Sequence, residues 1–236
     1  MDIYSLNFKN PGRVFILFNS RFFSENEKDV LRLNDTLTKL NFKVNIYVDK
    51  TADELKTCIK DMSENDYENV GCVLVFIMSH GDDYKIFGID GEAVNLTDFL
   101  DPFESKKSLK GKPKLFFFNA CRGKSYSSIH QDTLDQEEMN TQENIQLINE
   151  MIYTPNGPDF LYSFSDFENG SMFIQILCDM IEKYKSTKHI LDMLTCINKE
   201  MTLKEGRGTK MMSTNTRDFY FSQPTNVHFI LFFSIF

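Results

Sequence analysis

Uninterrupted apolar runs predict the buried strands of this chain. Three such runs stand out: residues 14–18 (VFILF), 70–78 (VGCVLVFIM) and 115–118 (LFFF). Runs of this kind are typical of parallel strands that are buried on both faces of a sheet. Residues 42–48 alternate apolar and polar side chains, which predicts a further strand. Two more strands are predicted at residues 159–164 and 218–221.

Apolar residues at helical spacing predict helices among these strands. One stripe begins after Asp29 and consists of Val30, Leu33, Leu37 and Leu40. Thr51, with Glu54 three residues later, forms a possible capping box that would open a second helix. The spacing predicts two further helices over residues 172–184 and 190–201. The order of strands and helices predicts an α/β fold with a mainly parallel sheet and helices on both faces.

The middle and the end of the chain differ from the rest. Residues 122–158 are polar and rich in Ser, Gln, Asn and acidic side chains. We interpret them as a linker between a larger first part and a smaller second part of one fold. Residues 222–236 form a tail that ends in a Phe-rich apolar run, which is typical of a packing element or an aggregation-prone segment.

Composition narrows the class of function. The net charge of −8 disfavours nucleic acid and anionic membranes as partners, because both reward a basic face. The five cysteines are not closely paired, which is typical of a reduced intracellular protein, and no CxxC pair or Cys/His cluster indicates zinc. No signal peptide is visible, and the apolar run at 227–236 is about half a membrane span. We therefore expect a soluble, cytoplasmic protein.

Two strand ends carry residues suited to nucleophilic catalysis. His80 and Gly81 come just after the apolar run 70–78, and Cys121 comes just after the run 115–118. In α/β sheets the carboxyl ends of the strands form the ligand-binding edge, where imidazole and thiol would meet. The imidazole would deprotonate the thiol, and the backbone N–H groups of Gly81 and Cys121 would bind the oxyanion. A lone Cys or His after a strand is more often structural, and the residues alone leave both interpretations open.

The segments around these residues resemble the caspase family. Residues 119–123 (NACRG) resemble the Gln-Ala-Cys motif of the caspase nucleophile, and His80 lies upstream as the family's histidine does. Further segments are similar to the family and stand in its order: residues 77–81, 87–91, 109–118, 159–161, 170–175 and 219–221. The resemblance extends from about Tyr4 to Phe221, which is nearly the whole chain.

The resemblance implies a fold, a reaction and an assembly. The fold would be the caspase-like α/β fold, with a mainly parallel six-stranded central sheet and helices on both faces. The reaction would be endopeptidase cleavage after aspartate in programmed cell death, with Cys121 as nucleophile, His80 as acid–base partner and no cofactor. The chain would be a zymogen with a large region at 1–135 and a small region at 159–221. After a cut in the 122–158 linker, it would act as a homodimer of such pairs.

The linker contains a candidate processing site. Residues 132–135 (DTLD) resemble the DxxD pattern that executioner caspases cut, so we expect cleavage after Asp135, with Asp132 opening the pattern. A merely solvated acidic linker would also contain such aspartates. We expect that no recruitment domain precedes Pro11, which would favour an executioner or a modulator over an initiator.

The pocket for the substrate's aspartate departs from the family pattern. In the family, two arginines and one glutamine surround this carboxylate, and the planar arginine fork suits it well. Phe23 stands where one arginine is expected, with Arg21 out of register, and the shorter Asn119 replaces the glutamine as the substrate-binding amide. Residues 162–169 are several residues too few for the strand that carries the other arginine. Two hypotheses follow: an endopeptidase of reduced activity, or a catalytically weak regulator that pairs with active caspases.

Overall fold

The central sheet of the described chain has six strands, of which five are parallel. The computed structural model describes residues 2–20, 27–82, 85–120, 157–165, 172–206 and 208–224. In chain order the strands are β1 (Arg13–Phe18), β2 (Lys43–Val48), β3 (Val73–Met78), β4 (Gly81–Asp82), β5 (Lys85–Phe87), β6 (Ala93–Asn95), β7 (Lys114–Asn119), β8 (Phe160–Ser165) and β9 (Lys210–Ser213). The central sheet has the order β2–β1–β3–β7–β8–β9, and β4–β5–β6 form a small antiparallel sheet. β9 alone runs antiparallel to its neighbour in the central sheet, so the predicted mainly parallel six-stranded sheet is confirmed.

Helices cover both faces of the central sheet. Among the described residues they are α1 (Glu27–Thr38), α2 (Ala52–Glu64), α3 (Leu96–Glu104), α4 (Met172–Tyr184) and α5 (Ile190–Glu205), with a 3-10 turn at Lys107–Leu109. Helices α1, α4 and α5 pack on one face, and α2 and α3 pack on the other. The α/β class with helices on both faces is therefore confirmed. Helix α3 and the small sheet have no counterpart among the predicted elements.

Successive side chains of each central strand point to opposite faces of the sheet. In β7, Phe117 faces α1, α4 and α5, whereas Phe116 and Phe118 face α2 and α3. Phe117 stacks on Phe76 with ring centroids 4.7 Å apart, and Phe118 stacks on Phe164 at 4.8 Å. Stacked phenylalanine rings therefore contribute to the core on both faces of the sheet. The chain contains no tryptophan.

The predicted capping box at the start of α2 is confirmed. The N–H of Glu54 donates to Oγ1 of Thr51 at 3.3 Å, and the N–H of Thr51 donates to Oε2 of Glu54 at 2.9 Å. Backbone N–H groups at the start of a helix have no carbonyl partner within the helix. Here the two side chains accept hydrogen bonds from two of these groups. Local sequence is thus enough to define where this helix begins.

The last strand of the sheet lies elsewhere than predicted. Residues 218–221 do not form a strand: Asp218 makes an isolated bridge with Ile3, and β9 completes the sheet beside β8. Phe219 and Phe221 are instead buried against α1, α4 and α5. An apolar run can be buried within a sheet or against helices, and its pattern does not distinguish the two. Strand β9 lies at the edge and is largely exposed, so it lacks the apolar signature of a buried strand.

The described part of the chain contains no helix that is long and apolar enough to span a membrane. It also contains no group of three or more His, Cys, Asp or Glu side chains placed to hold a metal ion. Its cysteines are free thiols: Cys58, Cys72, Cys178 and Cys196. Burial raises the pKa of Cys58, Cys72 and Cys178, the last to about 11, so these three thiols stay protonated and are poor nucleophiles.

Candidate active site

Four parallel strands end together at one edge of the sheet. Phe18, Met78, Asn119 and Ser165 are the final residues of β1, β3, β7 and β8, and each is the register partner of the next. The segments that follow these strands therefore start side by side. In open α/β sheets this carboxyl edge is where ligands bind.

Backbone hydrogen bonds continue across this edge beyond the strands. The N–H of Asn19 donates to the carbonyl of Met78 at 3.0 Å, and the N–H of Ser79 donates to the carbonyl of Asn119 at 3.3 Å. The N–H of Ala120 donates to the carbonyl of Ser165 at 3.2 Å. Adjacent segments thus remain joined up to the residue before each predicted catalytic position.

His80 is held at this edge by the small antiparallel sheet. Its carbonyl accepts a hydrogen bond from the N–H of Phe87 at 2.9 Å, and its side chain is half-buried. Burial lowers the pKa of the imidazole below its ordinary value, because desolvation disfavours the charged form. The neutral imidazole, which can accept a proton, is therefore favoured near neutral pH.

Gly81 has a backbone N–H that points away from the small sheet. Gly81 is paired with Ile86 in the β4–β5 ladder. The preceding pair is His80 with Phe87, and it is hydrogen-bonded, because the N–H of Phe87 donates to the carbonyl of His80. Hydrogen-bonded and non-hydrogen-bonded pairs alternate in an antiparallel ladder, so Gly81 occupies a non-hydrogen-bonded position. Its N–H is consequently available to an acceptor outside the ladder.

Two buried polar residues next to His80 were not predicted from the sequence. Oγ of Ser79 donates to the carbonyl of Phe87 at 2.6 Å, and Nδ2 of Asn19 lies 3.4 Å from Oγ of Ser79. Asn19 and Ser79 therefore connect the end of β1 to the histidine loop and to β5. The sequence contained a signal for both residues, because each is a polar residue directly after an apolar run: Asn19 follows residues 14–18, and Ser79 follows residues 70–78.

The side-chain amide of Asn119 uses its oxygen in a hydrogen bond within the protein, and its nitrogen is left for a ligand. Its side chain is buried, and Oδ1 accepts a hydrogen bond from Oγ of Ser165 at 2.8 Å. Among the residues that the structure describes, Nδ2 has no hydrogen-bond partner, although a buried donor left unpaired costs about 1–3 kcal/mol. This edge of the sheet therefore offers a buried amide donor that a ligand acceptor would satisfy.

The comparison with known proteins decides the family. The family model of the caspase domain matches residues 14–220 of the chain. The chain belongs to the caspase family. It is accordingly a cysteine peptidase domain by family, and its fold agrees with this membership.

Individual caspases match most of the chain at moderate identity. Caspase-3 of Xenopus laevis is 33% identical over 220 residues, which cover 85% of this chain and 74% of that protein. Caspase-6 of Gallus gallus is 28% identical over 222 residues, covering 84% and 72% of the two chains. Caspase-8 of Mus musculus is 28% identical over 236 residues, and the matched part is 49% of its length.

The structure describes part of the predicted caspase site. Three predicted site residues are described, all at the carboxyl edge of β3 and β7: His80, Gly81 and Asn119. The remaining predicted positions lie outside the described residues: Arg21, Phe23, Cys121, Asp132 and Asp135. Cys121 directly follows Ala120, the last described residue of its segment.

Proposed function

We propose that this caspase is an endopeptidase that cleaves peptides after aspartate, with Cys121 as nucleophile and His80 as its acid–base partner. The observation that carries the proposal is the hydrogen bond from the N–H of Ser79 to the carbonyl of Asn119. It joins the residue before His80 to the strand end that leads into Cys121. The two side chains need only converge across one strand spacing, which is about 4.8 Å.

The reaction passes through a thioester. His80 takes the proton of the Cys121 thiol, and the sulfur adds to the scissile carbonyl carbon. The N–H groups of Gly81 and Cys121 bind the resulting oxyanion. The C–N bond then breaks as His80 returns the proton to the leaving amine. Water, deprotonated by His80, attacks the thioester, which releases the peptide acid and restores the thiol.

Asn119 is the described group best placed to bind the substrate's aspartate. Its Nδ2 carries two N–H donors that have no partner in the described part of the chain, and the hydroxyl of Ser165 donates to its oxygen. A carboxylate would accept from this nitrogen, but a neutral amide binds a carboxylate more weakly than a bidentate arginine does. Only residues 166–171 connect β8 to α4, and residues 162–171 contain no arginine. We therefore propose slow turnover.

A regulator that pairs with active caspases is the second candidate function. The short connection at 166–171 favours it, because the family's substrate-pairing strand would need more residues. A regulator of this kind needs the caspase fold and an exposed edge but does not need a complete substrate pocket.

For the endopeptidase we propose a homodimer of large and small subunit pairs in the cytoplasm, acting in programmed cell death, whereas the regulator would pair with an active caspase. The outer edge of β9 has no neighbour among the described strands, and Met211 on it is 46% exposed. Exposed edge strands pair readily with another chain. Maturation would follow cleavage after Asp135 in the 122–158 linker.

The decisive experiment compares peptides that differ only in the residue before the scissile bond. Purified protein is incubated with fluorogenic peptides carrying aspartate, asparagine or glutamate at that position, beside Cys121→Ala and His80→Ala variants. We expect turnover of the aspartate peptide alone, abolished in both variants. Turnover equal to that of Cys121→Ala would refute the protease and favour the regulator. In that case, a change in the activity of an added caspase would test the pairing.

Processing is tested in the same preparation. The wild-type chain should cut itself within the linker. Asp135→Ala should abolish the cut, whereas the control Gln131→Ala, a substitution just outside the DTLD pattern, should not. A chain cut elsewhere in the linker would refute the site while leaving the peptidase proposal intact.

A further inference from the structure

A polar cavity lies at the amino-terminal edge of the central sheet. Its volume is about 700 Å³, which is within the usual range of small-molecule sites. Arg13 opens β1, Lys43 opens β2, and both side chains line the cavity. Because these strands are six residues long, about 20 Å of sheet separates the cavity from the carboxyl edge that carries His80. The cavity is therefore distinct from the candidate active site.

Two cationic side chains stand next to each other at this edge. Arg13 and Lys43 are register partners on neighbouring parallel strands, so their side chains leave the same face of the sheet. Neighbouring strands are about 4.8 Å apart, and like charges on such partners repel each other. Lys9 adds a third positive charge to the lining. An anion bound in the cavity would offset this repulsion.

The protein balances the positive charge of the cavity only in part. Within the described ranges, none of Lys9, Arg13 and Lys43 forms an ion pair with an acidic side chain. Asp66 is the one acidic residue of the described lining, and its carboxylate accepts a hydrogen bond from the N–H of Glu68 at 2.9 Å. Three cationic side chains against one acidic side chain leave a surplus of two positive charges. The cavity therefore favours an anionic ligand, in a chain whose net charge is −8.

Arg13 is held in place by contacts within the protein. Its Nη1 donates a hydrogen bond to Oδ1 of Asn65, and its guanidinium carbon lies 5.7 Å from the ring centroid of Tyr67. Tyr67 is itself fully buried, and its hydroxyl donates to the carbonyl of Met62. A side chain held in this way loses little conformational freedom on binding, and the planar guanidinium matches the oxygens of a phosphate group. These contacts favour phosphate as the anion.

Neutral side chains also line the cavity. Thr38, Asn41 and Asn69 supply hydroxyl and amide groups. Phe42 and Val70 supply apolar surface. Groups of both kinds bind the uncharged part of a small molecule. A nucleic-acid polymer fits less well, because its backbone would extend beyond the cavity over a chain of net negative charge.

We propose that this cavity binds a phosphate-bearing small molecule of about the size of a nucleotide. Lys9, Arg13 and Lys43 would bind the phosphate oxygens, and the neutral side chains would contact the rest of the ligand. The proposal does not depend on peptidase activity, because the cavity lies at the opposite edge of the sheet from His80. A nucleotide and an inorganic phosphate share this chemistry, and the ligands of the test distinguish them.

Calorimetric titration of the Cys121→Ala protein, in which self-cleavage through Cys121 is impossible, tests the proposal. The ligands are ADP, pyrophosphate and adenosine, so that the phosphates and the nucleoside are also measured separately. We expect ADP and pyrophosphate to bind and adenosine not to bind. Tighter binding of ADP than of pyrophosphate would support a nucleotide, and equal binding would support an inorganic phosphate. Adenosine bound as tightly as ADP, or no binding of either phosphate ligand, would overturn the proposal.

Substitutions that remove one charge locate the site. Lys9→Gln and Lys43→Gln should each weaken the binding of ADP about tenfold, because a hydrogen bond to a charged group contributes about this much. Both lysines are exposed, so neither substitution disturbs the core. The control is Lys39→Gln, which removes the same charge from an exposed lysine outside the cavity lining and should leave the affinity unchanged. An equal loss of affinity in Lys39→Gln would indicate non-specific attraction and would overturn the proposal.

Discussion

Oγ of Ser165 donates a hydrogen bond to Oδ1 of Asn119 over 2.8 Å, with both side chains buried at the carboxyl ends of adjacent strands. This bond occupies the oxygen of the amide, whereas its nitrogen, Nδ2, has no partner within the described ranges of the chain. A site for a carboxylate needs donors, so in the proposed site the hydroxyl of Ser165 would leave the amide of Asn119 oriented to donate. Under the proposed function, Ser165 would be a positioning residue that acts through the amide of Asn119.

Replacing Ser165 with alanine should weaken recognition of the substrate's aspartate. The amide would lose its orientation, and we expect kcat/KM for the aspartate peptide to fall about tenfold, mainly through a higher KM. A tenfold change corresponds to about 1.4 kcal/mol, close to the contribution of one hydrogen bond. Steady-state kinetics with the peptide series would measure it.

Ser163 provides the matched control for this substitution. It lies on the same strand, is fully buried, and its Oγ has no hydrogen-bond partner from any residue that the structure describes. Ser163→Ala should therefore leave KM unchanged. If both alanine variants raise KM equally, the effect comes from the packing of β8 rather than from the amide of Asn119.

The pH at which peptidase activity is lost on the acid side of its pH profile should be low. Burial lowers the pKa of His80 below its ordinary value of 6.5. A general base works only when deprotonated, so kcat/KM should rise with pH through a midpoint below 6.5. Peptide turnover measured between pH 4.5 and 8 would locate the midpoint. A midpoint at or above 6.5 would contradict the desolvated neutral imidazole.

Lys114 should make stability depend on pH above neutrality. This lysine is 4% exposed, and its Nζ lies 4.7 Å from the ring centroid of Phe160. Burial lowers its pKa from the ordinary 10.5 to about 8, while the neighbouring Asp159 and Glu104 oppose the shift. Between these two pH values the unfolded chain holds the proton and the folded chain does not. Folding therefore becomes more favourable as pH rises through this window.

A Lys114→Met variant isolates this contribution. The free energy of unfolding of the wild type, minus that of the variant, should increase by roughly 1 kcal/mol between pH 7 and pH 9. Urea denaturation of the two proteins at both pH values gives the difference directly, and other titrating groups cancel in it. A difference independent of pH would show that Lys114 titrates normally.

Tyr4 should contribute to the attachment of the amino-terminal segment. Its hydroxyl donates to Oδ1 of Asp159 at 2.6 Å and accepts from the N–H of Thr216 at 3.0 Å. Tyr4→Phe removes both bonds at a buried site, so the free energy of unfolding should fall by about 1–3 kcal/mol. Urea denaturation would measure it. The control is Tyr220→Phe, since Tyr220 is also largely buried, and a loss of equal size there would argue against a specific role for these bonds.

Some elements of the fold could be predicted because their information is local. The apolar runs at 14–18, 70–78 and 115–118 correspond to buried parallel strands, and the spacing of Thr51 and Glu54 corresponds to a helix start. Burial on two faces and the first turn of a helix each impose a pattern on neighbouring residues. His80 and Gly81 were identified for the same reason, because they follow such a run directly.

The sequence by itself determined the α/β class, the main strands and helices, and the residue types at the strand ends. Only the tertiary structure showed that Asn119 meets Ser165, 46 residues away, and that β9 rather than residues 218–221 closes the sheet. Contacts of this kind depend on strand order and register. These are set by how all the apolar faces pack at once, so no local segment contains the information.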